Sequence, residues 1–307
     1  MKMNKEMKWT FCAALMLLAC TGNKGVAHAE EGEAALADVP AAPDTLVFEE
    51  VSYNDSLIAD VKIMDYSTDE EPTPYTMGKS RNYFEKQTLK AVKGPKESME
   101  FVNQYLLVDA SGVEYEPPLT TAKISELCTQ LKKEGVSDVK KALKKRSKDF
   151  LGTEAPFEEM GWETGNSLES EISVAWNTKN LLTLQHSGYD YPAGAAHGMP
   201  WNYAETIDLK NKRILTKDDI FTKSGQKAVL RMVVAELLDE YAEDNLNNVS
   251  DIELPGNDPS LTSEGVQFDY GAYEIGPYAL GMPCVKLPYE KVKPYLTPEV
   301  MELIELK

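Results

Sequence analysis

The chain has 307 residues, with 32 Lys and Arg against 50 Asp and Glu, a formal net charge of −18. That acidity argues against nucleic acid as a partner, since phosphates call for a basic surface, and against passive docking on anionic lipid. Three histidines and four cysteines leave little material for a multi-His metal centre or a disulfide-built scaffold, and no cofactor motif is present.

Lys2, Lys5 and Lys8 precede a short apolar run from Phe11 to Ala19, the build of an export signal and too short for a membrane span. The run ends in Leu17-Leu18-Ala19-Cys20, which resembles a bacterial lipobox, with Cys20 as the lipidated first residue of the mature chain. The alternative is cleavage after Ala27-His28-Ala29, a small-x-small pattern. Under the first reading residues 1–19 are a lipoprotein signal peptide and 20–44 a flexible tether rich in Ala, Gly and Glu. The expected location is the cell envelope, on the outer membrane facing periplasm or surface, with the lipid as the one membrane attachment. Cys128 and Cys284 then remain, either paired in an oxidising envelope or as two separate thiols.

From Leu46 the chain takes on structure. Leu46, Phe48 and Val51 open one strand-like segment, and 57–64 alternates well enough for another. Asp69 to Pro74 reads as an acidic loop punctuated by prolines. Pro95 suits the first position of a helix carrying Met99, Val102, Tyr105 and Leu106 on one face. Ile124, Leu127, Cys128 and Leu131 predict a second helix, stopped at Gly135. The basic run from Lys140 to Arg146 reads as the solvated face of a third.

Ile172, Val174 and Trp176 predict a strand, and 177–180 a hairpin turn. The next strand passes His186 into a loop of small residues, Tyr191-Pro192-Ala193-Gly194-Ala195-Ala196-His197-Gly198. A strand over 203–209 and a long helix follow, the helix with Val229, Leu230, Val233, Val234, Leu237, Leu238 and Tyr241 on one stripe. Asn245 to Ser263 reads as loop. Val266, Phe268 and Tyr270 alternate with Gln267 and Asp269, predicting a half-buried strand. Val285 and Leu287 mark another strand, and Thr297-Pro298-Glu299 reads as N-cap and acidic first turn of a last helix. Without regular βαβ alternation the class is α+β, largely antiparallel, with packed helices.

Phosphate-cradling glycine loops, a nucleophile elbow and a zinc-helix motif are all missing from the sequence. His197 stands out because Ala196 and Gly198 leave room for close approach of a ligand or of backbone. It reads either as a loop anchor or as a contact residue. Glu274, in Tyr273-Glu274-Ile275-Gly276-Pro277-Tyr278, carries the same two readings. Tyr189, Tyr191, Trp201, Tyr203, Tyr270, Tyr273 and Tyr278 crowd these two loops, a composition suited to stacking on sugars or to protein contact.

At these loops the sequence resembles a bacterial envelope family. Its members include the extracellular lysozyme-receptor domain of the sigma-V anti-sigma factor and the accessory domain of peptidoglycan deacetylase C. The likeness runs over about residues 165–296. It rests on Asn180 to Leu184, Tyr191 to Gly198, Ile214 to Phe221, Phe268 to Tyr270, Tyr273 to Gly281 and Val285 to Tyr289, with Ala193 to Ala196 departing from the usual Gly-Gly-Ala.

The resemblance implies two α+β modules meeting near the Ala-His-Gly loop, divided here as 45–200 and 201–307. It implies recognition as the activity, since the deacetylase chemistry of the latter relative belongs to another domain. The resulting expectation is a non-enzymatic, lipid-anchored binding protein whose partner is a cell-wall glycan or a c-type lysozyme, with Tyr191, His197, Glu274, Pro277 and Tyr278 as contacts. The alternatives are a glycan hydrolase using Glu274 as acid/base with His197, and a purely structural envelope lipoprotein.

Overall fold

A computed structural model describes residues 44–65, 73–116, 119–152, 159–160 and 165–305. The signal, Cys20 and the tether lie outside the described residues, as does most of the 69–74 loop. The chain opens with two long antiparallel strands, β1 (Val47–Asp65) and β2 (Thr73–Lys93). The two segments expected around Phe48 and Leu57 are thus one continuous strand. β2 is silent to a hydrophobicity reading because its buried positions include Ser80, Asn82, Lys86 and Thr88.

Three helices follow: α1 (Lys96–Ser111), α2 (Thr121–Lys133) and α3 (Val139–Gly152). Pro95 is the N-cap of α1 and not its first helical residue. In α2, Ile124, Leu127, Cys128 and Leu131 are the buried face, the Thr120 side chain accepts the Lys123 amide, and Gly135 beyond the end has a positive φ of 83°. The basic run of α3 is mostly outward, with Ala142 and Leu143 turned in.

β3 (Glu159–Met160) pairs parallel with β1. β4 (Ser167–Asn177) pairs parallel with β2 and antiparallel with β5 (Leu181–Tyr191), which pairs with β6 (Met199–Asp208), and that with β7 (Arg213–Ile214). These make a seven-stranded sheet in the order β3-β1-β2-β4-β5-β6-β7. Helices α1–α3 cover one face, burying Phe101, Val102, Leu106, Ile124 and Leu143 with Ile172, Leu182, Leu184 and Ile207 of the sheet.

The remainder forms a second core. α4 (Lys217–Ile220) leads into α5 (Lys223–Glu240), whose N-cap Thr222 accepts the Gly225 amide. Val229, Val233 and Leu237 of α5 are fully buried, while Leu238 is 41% exposed, so the buried stripe is narrower than the apolar one. A 3₁₀ turn at Glu243–Asn245 leads into the stretch expected as loop, which holds a second 3₁₀ turn (Val249–Asp251) and, against expectation, a short strand, β8 (Ser260–Leu261). With β9 (Gly265–Asp269) and β10 (Cys284–Pro288) it forms a small antiparallel sheet with β9 central. α6 (Tyr289–Val292) and α7 (Pro298–Leu303) close the chain. Thr297 caps α7 by accepting the Val300 amide, with Pro298 and Glu299 in the first turn, as the sequence predicts.

This is an α+β fold with mostly antiparallel sheet. The expected division at 200 and 201 falls within β6, and packing passes from the first core to the second between Leu209 and Leu215. Cys128 and Cys284 are not joined in a disulfide.

β9 departs from expectation. Gln267 and Asp269 are 7% and 6% exposed, so both faces of the strand are buried. The Asp269 carboxylate accepts the Ala204 amide of β6 at 3.1 Å and the Gln267 side-chain amide. Burial pushes its pKa up despite these bonds. Beside it, three buried groups close a ring. The Leu261 amide donates to Thr206 Oγ1 at 2.8 Å, the Thr183 hydroxyl donates to the Leu261 carbonyl at 2.6 Å, and the two hydroxyls lie 3.0 Å apart. With its own proton committed to Leu261, Thr183 accepts from Thr206. Thr206→Val keeps the shape and leaves the Leu261 amide without an acceptor. Equilibrium urea unfolding is expected to show a loss of about 1–3 kcal/mol.

Candidate functional site

The loop between β5 and β6 is shaped by its own backbone. Gly194 takes φ +79°, the Ala195 amide donates to the Pro192 carbonyl at 3.0 Å, and the Tyr191 hydroxyl donates to the Ala195 carbonyl at 2.9 Å. The Ala193 amide donates to Asn166 Oδ1 at 2.8 Å, which ties the loop to the start of β4. His197 stands exposed on its far side and Gly198 is buried beside it. A Cβ at 198 would run into the Tyr189 ring, whose hydroxyl accepts the Gly198 amide at 3.0 Å.

The second loop, between β9 and β10, brings tyrosines to this histidine. Tyr273 has φ +68°, a costly conformation for a bulky residue, and its hydroxyl lies 2.9 Å from His197 Nε2. His197 Nδ1 lies 3.0 Å from the Gly198 carbonyl. A carbonyl only accepts, so Nδ1 carries the proton of the neutral ring and Nε2 accepts from Tyr273. The imidazole stacks on Tyr278 with centroids 4.1 Å apart, and the Tyr278 hydroxyl donates to the same Gly198 carbonyl at 3.0 Å. Tyr273 is 48% exposed. The result is an aromatic cluster, His197, Tyr273 and Tyr278 with Tyr189 beneath, its polar atoms engaged inward and ring surface open to solvent.

Of the residues expected as contacts, the structure unites His197 and Tyr278. Tyr191 lies on the same loop but serves its turn, and Pro277 is the exposed N-cap of the 3₁₀ turn Tyr278–Leu280. Glu274 faces backbone, accepting the Gly256 amide of the connection before β8 at 2.7 Å and the Gly271 amide of its own loop at 2.6 Å. It is thereby a loop anchor. Tyr273 and Tyr189 complete the cluster. Sequence marked both only as members of an aromatic-dense region, because a positive φ at a tyrosine leaves no spacing signal.

A buried polar lattice lies on the helical side of the sheet. His186 Nε2 is 3.0 Å from the Tyr105 hydroxyl and 3.3 Å from Glu205, and its ring stacks parallel to Tyr203 at 4.9 Å. Lys86 pairs with Asp109 at 2.9 Å, and Tyr105 donates to Glu205. Burial pushes Asp109 up, but Lys86, with His186 and Arg146, outweighs it and holds the carboxyl below the ordinary range. Burial first, then Glu205 and Asp109, raises Tyr115 to about 12. The lattice ties α1 to β2, β5 and β6. Its signal in sequence is the i, i+4 pair Tyr105 and Asp109 on an otherwise apolar helix face.

Two outcomes follow from this geometry. Glu274→Ala strips acceptors from two amides, and pulsed proteolysis is expected to show faster cleavage within 253–281 with a stability loss of about 1–2 kcal/mol. Lys86→Ala leaves Asp109 without its main counter-charge at a largely buried site, costing roughly 3 kcal/mol by urea unfolding at pH 7. Because the folded pKa of Asp109 is depressed, this contribution is present above its unfolded value of 3.8 and lost as pH falls through the folded value. The difference between wild type and variant should therefore shrink below about pH 4.

No protein-family profile and no curated protein matches the chain. Among solved structures it is similar to a member of the DUF3298 family from Bacteroides fragilis, with 21% identity and a TM-score of 0.54, covering 85% of this chain and 98% of that one. It is also similar to a DUF3298 family protein from Pseudomonas aeruginosa PAO1, with 18% identity and a TM-score of 0.50, covering 84% and 97%. The chain shares the fold of these bacterial proteins. Among the described residues no helix is long and apolar enough to cross a membrane.

Proposed function

We propose that the chain is an exported, lipid-anchored binding protein of the bacterial cell envelope, belonging with its DUF3298 structural neighbours, without catalysis of its own. Its ligand is a peptidoglycan-type glycan fragment, stacked on the His197–Tyr273–Tyr278 cluster. The observation that carries this reading is an aromatic stack in which His197 and Tyr273 are exposed and Tyr278 partly so, with their polar atoms already spent on one another and on Gly198. Rings held in that way present apolar faces with little entropy left to lose on binding a sugar. The commitment of both Glu274 oxygens to backbone amides favours binding over acid–base hydrolysis by Glu274 and His197.

A second reading, capture of a c-type lysozyme, is favoured by the net charge of −18 facing a strongly basic enzyme. Calorimetric titration of the chain from Glu30 onward separates the two. Oligomers of N-acetylglucosamine and N-acetylmuramic acid are expected to bind, and Tyr273→Ala to weaken them about three- to tenfold with the melting temperature unchanged. Glycan binding that survives Tyr273→Ala and Tyr278→Ala places the site elsewhere. Saturable binding of lysozyme that weakens with added salt, with no heat from glycans, moves the assignment to the second reading.

A further inference from the structure

Among the described residues, the C-terminal unit packs on the face of the seven-stranded sheet opposite α1–α3 at its β5–β6 end, where Leu181 and Thr183 meet the second core. Elsewhere on this face the register aligns three cross-strand rows. Tyr83, Ser167 and Tyr191 form one; Glu85, Glu169 and Tyr189 the next; Gln87, Glu171 and Ser187 the third. Their alternating neighbours Ile172, Leu182 and Leu184 point to the helices, so these rows point away from them. All nine are partly or fully exposed.

Glu85 and Glu169 are direct partners across the β2–β4 pair, an arrangement of like charges that costs stability. Burial and Glu85 together raise the Glu169 pKa. Glu85 accepts from Tyr83 and Glu171 from the Gln87 amide. Among the described residues no Lys or Arg forms an ion pair with Glu85, Glu169 or Glu171, although exposed pairs occur elsewhere on the surface. Tyr83 already has the Arg81 guanidinium 5.4 Å from its ring centroid, so a guanidinium fits against a tyrosine of this face. Tyr189, in the middle row, also bonds Gly198, which makes the strip continuous with the aromatic cluster.

We propose that this open sheet face is a docking surface for a basic polypeptide, its arginine side chains laid between the carboxylates of Glu85, Glu169 and Glu171 and against Tyr83, Tyr189 and Tyr191. An arriving cation relieves the repulsion that the empty face carries, and guanidinium groups match both the carboxylate rows and the rings. The proposal rests on the reading of the chain as a binding protein, but not on the glycan site.

Nona-arginine, titrated into the mature chain at about 50 mM salt, is the probe. Glu85→Gln/Glu169→Gln/Glu171→Gln is compared with a control of equal charge change on the C-terminal unit, Glu240→Gln/Glu243→Gln/Asp244→Asn. The sheet-face variant is expected to bind at least about fivefold more weakly than wild type, and the control within about twofold. Its melting temperature should equal or exceed wild type, since repulsion is removed. Glu169→Gln alone serves as the milder variant should the triple one fold poorly, with a smaller loss in the same direction. Equal weakening by both triple variants, or no saturable binding by wild type, overturns the proposal. Tyr273→Ala affects the glycan arm and leaves nona-arginine binding within about twofold, so failure of one reading is distinguishable from failure of the other.

Discussion

The β5–β6 hairpin has to satisfy two cores at once, and the architecture hangs on how it does so. Period-two alternation sends Leu182, Leu184 and His186 to the helical layer and Leu181 and Thr183 to the C-terminal unit. A strand buried on both sides offers no wet face for polar atoms, so every one must find a partner inside. On the C-terminal side the solution is the closed ring of Thr183, Thr206 and Leu261, reinforced by Asp269 on the Ala204 amide. On the helical side it is the lattice around His186. A small shift of either unit along the hairpin would break several of these bonds together. That directional requirement fixes relative placement in a way apolar contact, which is non-directional, does not.

The same hairpin positions the aromatic cluster. Its loop lies at the open end of β5 and β6, and the loop between β9 and β10 reaches it because β9 is docked beside β6. His197 bonds Gly198 of its own loop and Tyr273 of the other, so the cluster exists only when the two units are assembled. Glu274 contributes at one remove, by closing its loop on Gly256 and Gly271. The tyrosine with a positive φ sits where the two loops meet, a cost that the surrounding hydrogen bonds offset.

The two faces of the large sheet divide labour by charge. The helical face buries an acidic and basic lattice in which Lys86 answers Asp109. The opposite face carries Glu85, Glu169 and Glu171 with no such answer among the described residues. Neutralising those three would remove the like-charge cost between Glu85 and Glu169. The strip and the aromatic cluster share Tyr189, which places both candidate surfaces on one side of the molecule.

Much of the fold was legible from local pattern. The 3.6-residue stripe of α2 and the Thr-Pro-Glu start of α7 depend on neighbours a few residues apart, and those relations survive in any tertiary setting. β4 was legible as a strand but not in its facing, since a register shift between Val174 and Trp176 leaves Val174 exposed and turns Trp176 to the second core while Ile172 packs in the first. The α+β class followed from them, and so did interest in His197 and Tyr278, through glycine and aromatic density in two loops. What local pattern did not contain was pairing across distance. β2 hides behind buried polar residues, Gln267 and Asp269 look solvent-facing until β6 takes them up, and Glu274 looks like a ligand until Gly256 and Gly271 claim it. A hydrogen bond between residues far apart in the chain has no periodicity to read. Its existence depends on where two elements come to rest, and that is settled only by packing.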